Sequence, residues 1–252
     1  GSGRHSGLSA RWGSCARHRG TGGNFSGERM KIGLIGGTGD LGQGLALRWA
    51  LHTDHAILVG SRKAEKARER ADAFAATLAD TGKKEKPRIT GMANDEAARE
   101  AEILVLCVEA PYAAATARDL ADLLHAGQIV VTPAVSMARK KGYFLYAPPS
   151  EGSMAAQIAG ILDDAAPLVS AFHTVPAHKL ASLDQKIDQD VVCLGDHPEA
   201  KKTVMALAAA IPGISPVDGG PLAASCLVES ITPLLINLAI VNKRKNIAIK
   251  FV

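Results

Sequence analysis

Aromatic residues are scarce in this chain of 252 residues: two Trp, three Tyr and five Phe, 4% in all. With 47% hydrophobic residues drawn mainly from Ala, Val, Ile and Leu, that shortage argues against an all-β protein and for an Ala-rich α/β one. Cysteine is also rare. Cys15, Cys107, Cys193 and Cys226 are scattered with no C-x-x-C spacing, which excludes a disulfide scaffold and a zinc site and points to a reducing, cytoplasmic setting. No uninterrupted apolar run reaches the length of a membrane span. The longest, Ile231 to Val241, is broken by Thr232, Pro233 and Asn237, so no membrane partner is expected. The charge excess of +4 is confined to residues 1–29, which hold five Arg, two His and one Glu. The rest is formally neutral and carries no broad basic patch, so nucleic acid is not an expected partner. There is no G-x-S-x-G, no H-E-x-x-H, no Cys/His pair at ligand spacing and no internal repeat.

Residues 1–29 are rich in Gly, Ser and Arg and lack an apolar period, the composition of a disordered leader. Their Arg-rich, acid-poor character resembles a transit peptide. Upstream sequence or an expression remnant before a start at Met30 fits better, because a strand begins at once after Met30 and the leader has no amphipathic face.

What is present is a strand–turn–helix signal. Lys31 to Ile35 reads as a buried parallel strand, a glycine cluster follows, and Gln43 to Leu51 reads as a helix. Gly37, Gly39 and Gly42 fit G-x-G-x-x-G in the context that fingerprint requires. The first glycine permits the tight turn, the second lets a pyrophosphate approach the backbone, and the third lets helix and strand pack closely. The N–H groups opening the helix then face the phosphates. The alternative is a merely structural Gly-rich turn.

Ala56 to Val59 reads as a second strand, followed by Gly60-Ser61-Arg62-Lys63. NAD-binding folds usually carry an Asp or Glu there for the ribose 2′-hydroxyl. This chain has a hydroxyl and two cations, with no carboxylate before Glu65. A guanidinium fork suits phosphate oxygens. The segment therefore predicts NADP, with Ser61, Arg62 and Lys66 around the 2′-phosphate. An ordinary basic helix start is the competing account.

Further along, helices are expected over Lys63–Asp80, Tyr112–Leu124 behind Pro111, and up to Leu162 behind a Ser150 cap, with another from Pro198 through Ala210. Strands are expected at Ile89–Gly91, Ile103–Val108, Gln128–Val135, Leu168–Phe172, Val191–Leu194 and Ser215–Asp218. Thr81–Pro87 reads as a loop, Asn94 as a helix cap, and Leu222 onward as mostly helical. Alternating strands and helices predict right-handed crossovers and a Rossmann-type parallel sheet with helices on both faces, plus a smaller C-terminal α/β part. Ligand positions then fall at the C-terminal strand ends: Val108, Ala110 and Pro111, then Ala134, then His173, Val175 and Pro176. His173 is the only histidine at such an end.

Taken together these residues resemble the coenzyme F420-dependent NADP reductases. The resemblance runs in order through Gly33–Arg48, Val59–Ala67, Ile89–Ala98, Thr116–Leu120, Ser170–Ala177, Leu183–Val191, Gly220–Leu238 and Ile249–Val252. It implies hydride transfer between NADP(H) and coenzyme F420, an 8-hydroxy-5-deazaflavin. By that resemblance NADP lies on Gly36, Gly37, Thr38, Gly39, Asp40, Leu41 and Gly42, with Ser61, Arg62 and Lys66 about its phosphates. The deazaflavin stacks over the nicotinamide near His173, Val175 and Pro176, and His173 positions it without obligatory acid–base work. The implied organisation is a dinucleotide-binding domain over 30–170 and a deazaflavin-site and dimerisation part over 171–252, in a homodimer.

Three departures stand out. Tyr112 occupies a position where the family often has Trp, Cys226 one where Arg is common, and Asn242-Lys243-Arg244-Lys245-Asn246 replaces a glycine-rich stretch. That run either meets the anionic tail of the coenzyme or is a solvated helix end. Two rival functions remain from the residues alone. One is another NADP-dependent reductase of the imine or hydroxyacid type. The other is a non-catalytic NADPH-binding redox sensor.

Overall fold

A computed structural model describes residues 29–79, 81, 87–245 and 247–252. The expected leader lies outside the described residues apart from Arg29, as does most of the Thr81–Pro87 loop. Six parallel strands form the central sheet: β1 (Lys31–Ile35), β2 (Ala56–Ser61), β3 (Ile89–Ala93), β4 (Ile103–Leu106), β5 (Ile129–Thr132) and, after a hairpin, β8 (Leu168–Ser170). Their order is β3-β2-β1-β4-β5-β8, with the chain reversing its direction of progress between β3 and β4. That reversal opens a crevice beyond the carboxyl ends of β1 and β4.

The strands alternate their faces, so the sheet buries two apolar layers. Ile32 and Leu34 face a cluster with Leu45, Trp49 and Ala50 of α1 (Asp40–His52) and Phe74 and Leu78 of α2 (Ala64–Ala79). Ile35 and Leu104 face the other cluster, beneath α3 (Asn94–Glu100), α4 (Ala110–Ala121) and α5 (Met154–Leu162). Gly33 lies under α3, where a Cβ would sit 2.9 Å from that of Ala101.

The C-terminal part adds α6 (Ala177–Ala181), the parallel pair β9 (Gln189–Cys193) and β10 (Ile214–Asp218), and α7 (Pro198–Ala209). It ends in a 3-10 turn, α8 (Ser225–Glu229) and α9 (Ile231–Val241). The α1-side cluster runs on into Val191, Val204 and Leu207. Buried Arg48 of α1 donates to the carbonyls of Lys179, Leu180, Ser182 and Gln185, tying α1 to α6 and the loop after it. Trp49 meets Phe172 edge-on, with ring centroids 5.8 Å apart, and donates to the Leu207 carbonyl.

Several expectations are corrected. A hairpin, β6 (Met137–Lys140) and β7 (Tyr143–Tyr146), fills a stretch to which the sequence pattern assigned no element, turning at Lys141-Gly142 with Gly142 at φ 81. Ser153, not Ser150, caps α5, accepting from the Ala156 N–H at 2.9 Å, while the Ser150 hydroxyl donates to Glu151. Asn94 is no cap: it opens α3, and its side chain reaches the glycine turn. Leu222–Val241, a 20-residue stretch of the 3-10 turn, α8 and α9 in succession, is apolar enough by length and composition to cross a membrane. Pro233 lies in the first turn of α9, where a missing N–H is tolerated, so α9 runs on to Val241.

Candidate active site

The turn after β1 divides its labour among the glycines. Gly36 takes the left-handed backbone, at φ 72, and its N–H is held by the Asn94 side-chain oxygen at 3.1 Å. Gly37 donates to the Gly60 carbonyl at 2.9 Å and packs so tightly that a Cβ would lie 2.7 Å from the Leu34 carbonyl oxygen. At Gly42 a Cβ would fall 2.4 Å from the Gly37 Cα, so the first turn of α1 can pack on the glycine turn only without a side chain here. Gly39 differs. A Cβ there would meet nothing nearer than the Gly36 carbonyl oxygen at 3.7 Å, so its open side faces free space. Gly39 is also the N-cap of α1 and supplies no side-chain acceptor. The first amides of α1 are left facing that space, an arrangement suited to an anion.

Beside this turn, Ser61 ends β2, one residue after the Gly60 carbonyl that holds the Gly37 N–H. Its hydroxyl is buried and accepts from the Lys63 N–H at 3.3 Å. Arg62 and Lys66 are exposed, and neither enters an ion pair among the described residues.

A cleft of about 560 Å³ opens from Gly39, Asp40 and Leu41 along the strand ends. Val108, Ala110, Pro111, Ala134 and His173, each expected there, line it. Ser61, Arg62 and Lys66 lie outside its lining, around the end of β2. Val175 and Pro176 line a second cleft of about 310 Å³. His173 and Thr232 belong to both clefts, so the two share a wall.

His173 follows Phe172, whose backbone is left-handed at φ 67 although it is not glycine. That turn swings the imidazole across the strand ends. Its Nε2 lies 3.0 Å from the Ser170 hydroxyl oxygen, and its Nδ1 is buried with no partner among the described residues. Burial pushes the imidazole down to about 4, so it is neutral at ordinary pH. The Thr232 hydroxyl donates to the His173 carbonyl at 3.0 Å, pinning α9 to this turn.

Residues 31–136 match the family described as NADP oxidoreductase, coenzyme F420-dependent. The F420-dependent NADP reductase of Methanocaldococcus jannaschii is 39% identical over 225 residues, 88% of this chain and 97% of that protein. That of Methanothermobacter marburgensis is 34% identical over 224 residues, with 88% and 97% covered. This chain belongs to the F420-dependent NADP reductase family. A protein from Arthrobacter sp. FB24, assigned as an F420-dependent NADP-reductase, superposes with a TM-score of 0.73 at 24% identity, over 88% of this chain and 99% of that one. An imine reductase from Bacillus cereus superposes at 0.57 and 17% identity, over 85% of this chain and 63% of its own. Those two likenesses concern the fold. Membership makes the chain an NADP-dependent oxidoreductase of the F420 type, in preference to the imine, hydroxyacid and sensor readings.

For a reductase of this family the cleft holds residues that the sequence pattern did not single out. Met137, Arg139 and Phe144 reach it from the hairpin, and Thr232 from α9. Arg139 sits 5.9 Å over the Phe144 ring. The Asn237 side chain of α9 accepts from the Phe144 N–H and donates to its carbonyl, both at 2.7 Å, holding the hairpin against α9. The Lys141-Gly142 turn was the one local signal for these residues. Cys107 also lines the cleft, and burial pushes its thiol up to about 12, so it stays protonated at ordinary pH.

Glu229 is a second feature no local pattern announced. It is fully buried and accepts from the Met154 and Ala155 amides and the Tyr146 hydroxyl, each at 3.0 Å. It thereby fastens β7, α5 and α8 together behind the cleft. Burial raises its carboxyl above the ordinary value, against the pull of those three donors.

Proposed function

We propose that this chain moves a hydride reversibly between NADP(H) and coenzyme F420, the nucleotide on the glycine turn and the deazaflavin against His173. The observation that carries this reading is the continuous cleft from the open face of Gly39 to the buried imidazole of His173. When bound, the nicotinamide C4 and the deazaflavin C5 supply the redox chemistry themselves. The protein's task is to hold two flat rings in contact and keep water out.

Each part has a role in that task. The open side of Gly39 and the first amides of α1 take the pyrophosphate. Ser61, Arg62 and Lys66 take the 2′-phosphate and reject NAD. Val108, Ala110, Pro111 and Ala134 present small, flat backbone to the rings. Val175 and Pro176 continue that surface into the second cleft. His173, neutral and buried, holds the ring with one hydrogen bond and donates no proton to the reaction near neutral pH.

The domain division at 170/171 gives the first part the nucleotide and the second the deazaflavin and the subunit contact. Leu227, Leu234, Leu238 and Val241 are exposed along α8 and α9. Covering them in a homodimer accounts for that face without a membrane. The partners are then small-molecule coenzymes and a second copy, in the cytoplasm, with no nucleic acid. Mixing the protein with NADPH and oxidised F420 should bleach the visible deazaflavin band. NADPH binding with no bleaching would instead support the sensor.

A further inference from the structure

Helix α9 ends in an unusual way. The Lys243 N–H donates to the Ile240 carbonyl at 3.3 Å and the Arg244 N–H to the Ala239 carbonyl at 3.0 Å. This paired closure needs one residue in the left-handed region, a position usually given to glycine. Here it is Lys243, at φ 50, where a Cβ is penalised. The negative end of a helix favours a nearby cation. That accounts for a cation in the last turn. It does not account for a lysine at the single position where a side chain is disfavoured, followed by Arg244 and Lys245. All three are exposed, and none enters an ion pair among the described residues.

The second cleft leads to this run. It starts at His173 and Thr232, beside the first cleft, and follows Leu235, Ile236 and Ala239 of α9 to Lys245. No carboxylate lines it. From Thr232 to Asn242 the helix rises about 15 Å. A ring held at His173 would therefore have a largely apolar path beside it that reaches Lys245, with the exposed cations Lys243 and Arg244 preceding that residue in the chain.

We propose that Lys243, Arg244 and Lys245 receive the anionic tail of the deazaflavin coenzyme, its phosphate and glutamate carboxylates, and so make this chain selective for the tailed form. The proposal rests on the deazaflavin reading of the cleft. The ammonium groups act as point charges, and the guanidinium offers a fork to one phosphate or carboxylate. Because the cations are solvated, the attraction is a field effect spread over several contacts, sensitive to salt.

The test is direct binding, read by quenching of deazaflavin fluorescence. Coenzyme F420 with its glutamate tail is compared with the tail-less ribityl deazaflavin, in about 20 mM and about 300 mM salt. The full chain should prefer the tailed form on the order of tenfold at low salt, since exposed ionic contacts each contribute a small factor. High salt should shrink the preference. In a variant carrying Lys243→Gly, Arg244→Gln and Lys245→Gln the ratio of the two affinities should fall close to one. Lys243→Gly alone should hold or raise the melting temperature while lowering that ratio, because glycine fits the left-handed turn. A run kept only for its charge at the helix end would leave that ratio unchanged. Equal affinity for both forms in the unaltered chain, or an unchanged ratio in the triple variant, overturns the proposal. If neither deazaflavin binds, the deazaflavin reading itself fails and takes the proposal with it.

Discussion

Replacing His173 with Asn should change how stability depends on pH. Burial holds the His173 imidazole at about 4, against an ordinary value of 6.5. Between those two values the unfolded chain carries a proton at this position and the folded chain does not. Acid therefore drives unfolding in that window. The stabilisation is complete above pH 6.5, drains away as pH falls toward 4, and changes no further below it. About 2.5 units at about 1.4 kcal/mol each amounts to roughly 3 kcal/mol. His173 is only 7% exposed, so solvent screening takes little from that figure. For a chain of this size the effect is about 6–12 °C in melting temperature. The assay is thermal unfolding followed by circular dichroism from pH 4 to 8, on the parent chain and on His173→Asn. Their difference should be constant above pH 6.5 and move against the parent by about 3 kcal/mol on the way to pH 4. A difference that stays constant throughout would show that the imidazole ionises equally in both states and refute the burial argument. A parent that gains on the variant in acid would reveal a carboxylate partner.

Other expectations follow from the same geometry. Arg62→Ala should raise the Michaelis constant for NADP about 10- to 100-fold, the worth of a charge-assisted contact, and scarcely alter that for NAD; equal losses with both would remove Arg62 from the 2′-phosphate. Gly39→Ala should keep its melting temperature but weaken NADPH binding at least tenfold as measured by titration, roughly the loss of one or two kcal/mol of phosphate contact. Gly42→Ala should do the reverse, losing about 1–3 kcal/mol of stability in denaturant unfolding because its Cβ meets backbone. Glu229→Gln should cost about 1.5–3 kcal/mol in the same experiment, since an amide nitrogen would face the Met154 or Ala155 donor.

The sheet was legible because its signals are local. Ile32, Leu34, Ile57, Val59 and Ile103 to Leu106 lie in continuous apolar runs, as buried parallel strands require. The glycine turn was legible for the same reason, and its left-handed residue is Gly36, one position before the first glycine of the fingerprint. What escaped depends on distant partners. Asn94 looks like a cap until Gly36 is placed 3.1 Å from its oxygen. Ser150 and Ser153 are equivalent by type, and only the folded backbone, which brings the Ala156 N–H to the Ser153 hydroxyl, tells them apart. The hairpin carries Arg139 and Lys140 in succession where alternation should show an apolar face, because Arg139 lines the cleft over the Phe144 ring and Lys140 is exposed beside the turn. Glu229 gave no warning, since a carboxylate reads as surface until three donors converge on it.

The Asn237 amide has a consequence for self-association. A two-stranded hairpin standing apart from the main sheet leaves peptide groups along its rim that another chain could copy onto. At Phe144 both of those groups are already satisfied by the primary amide of Asn237, which acts as one peptide unit of a missing neighbour. Helix α9 thereby works as a plug as well as a wall. A chain shortened before α9, or an Asn237→Leu variant, would uncover a template for strand-to-strand stacking, and its failure in solution would be fibrous or amorphous aggregation rather than simple unfolding.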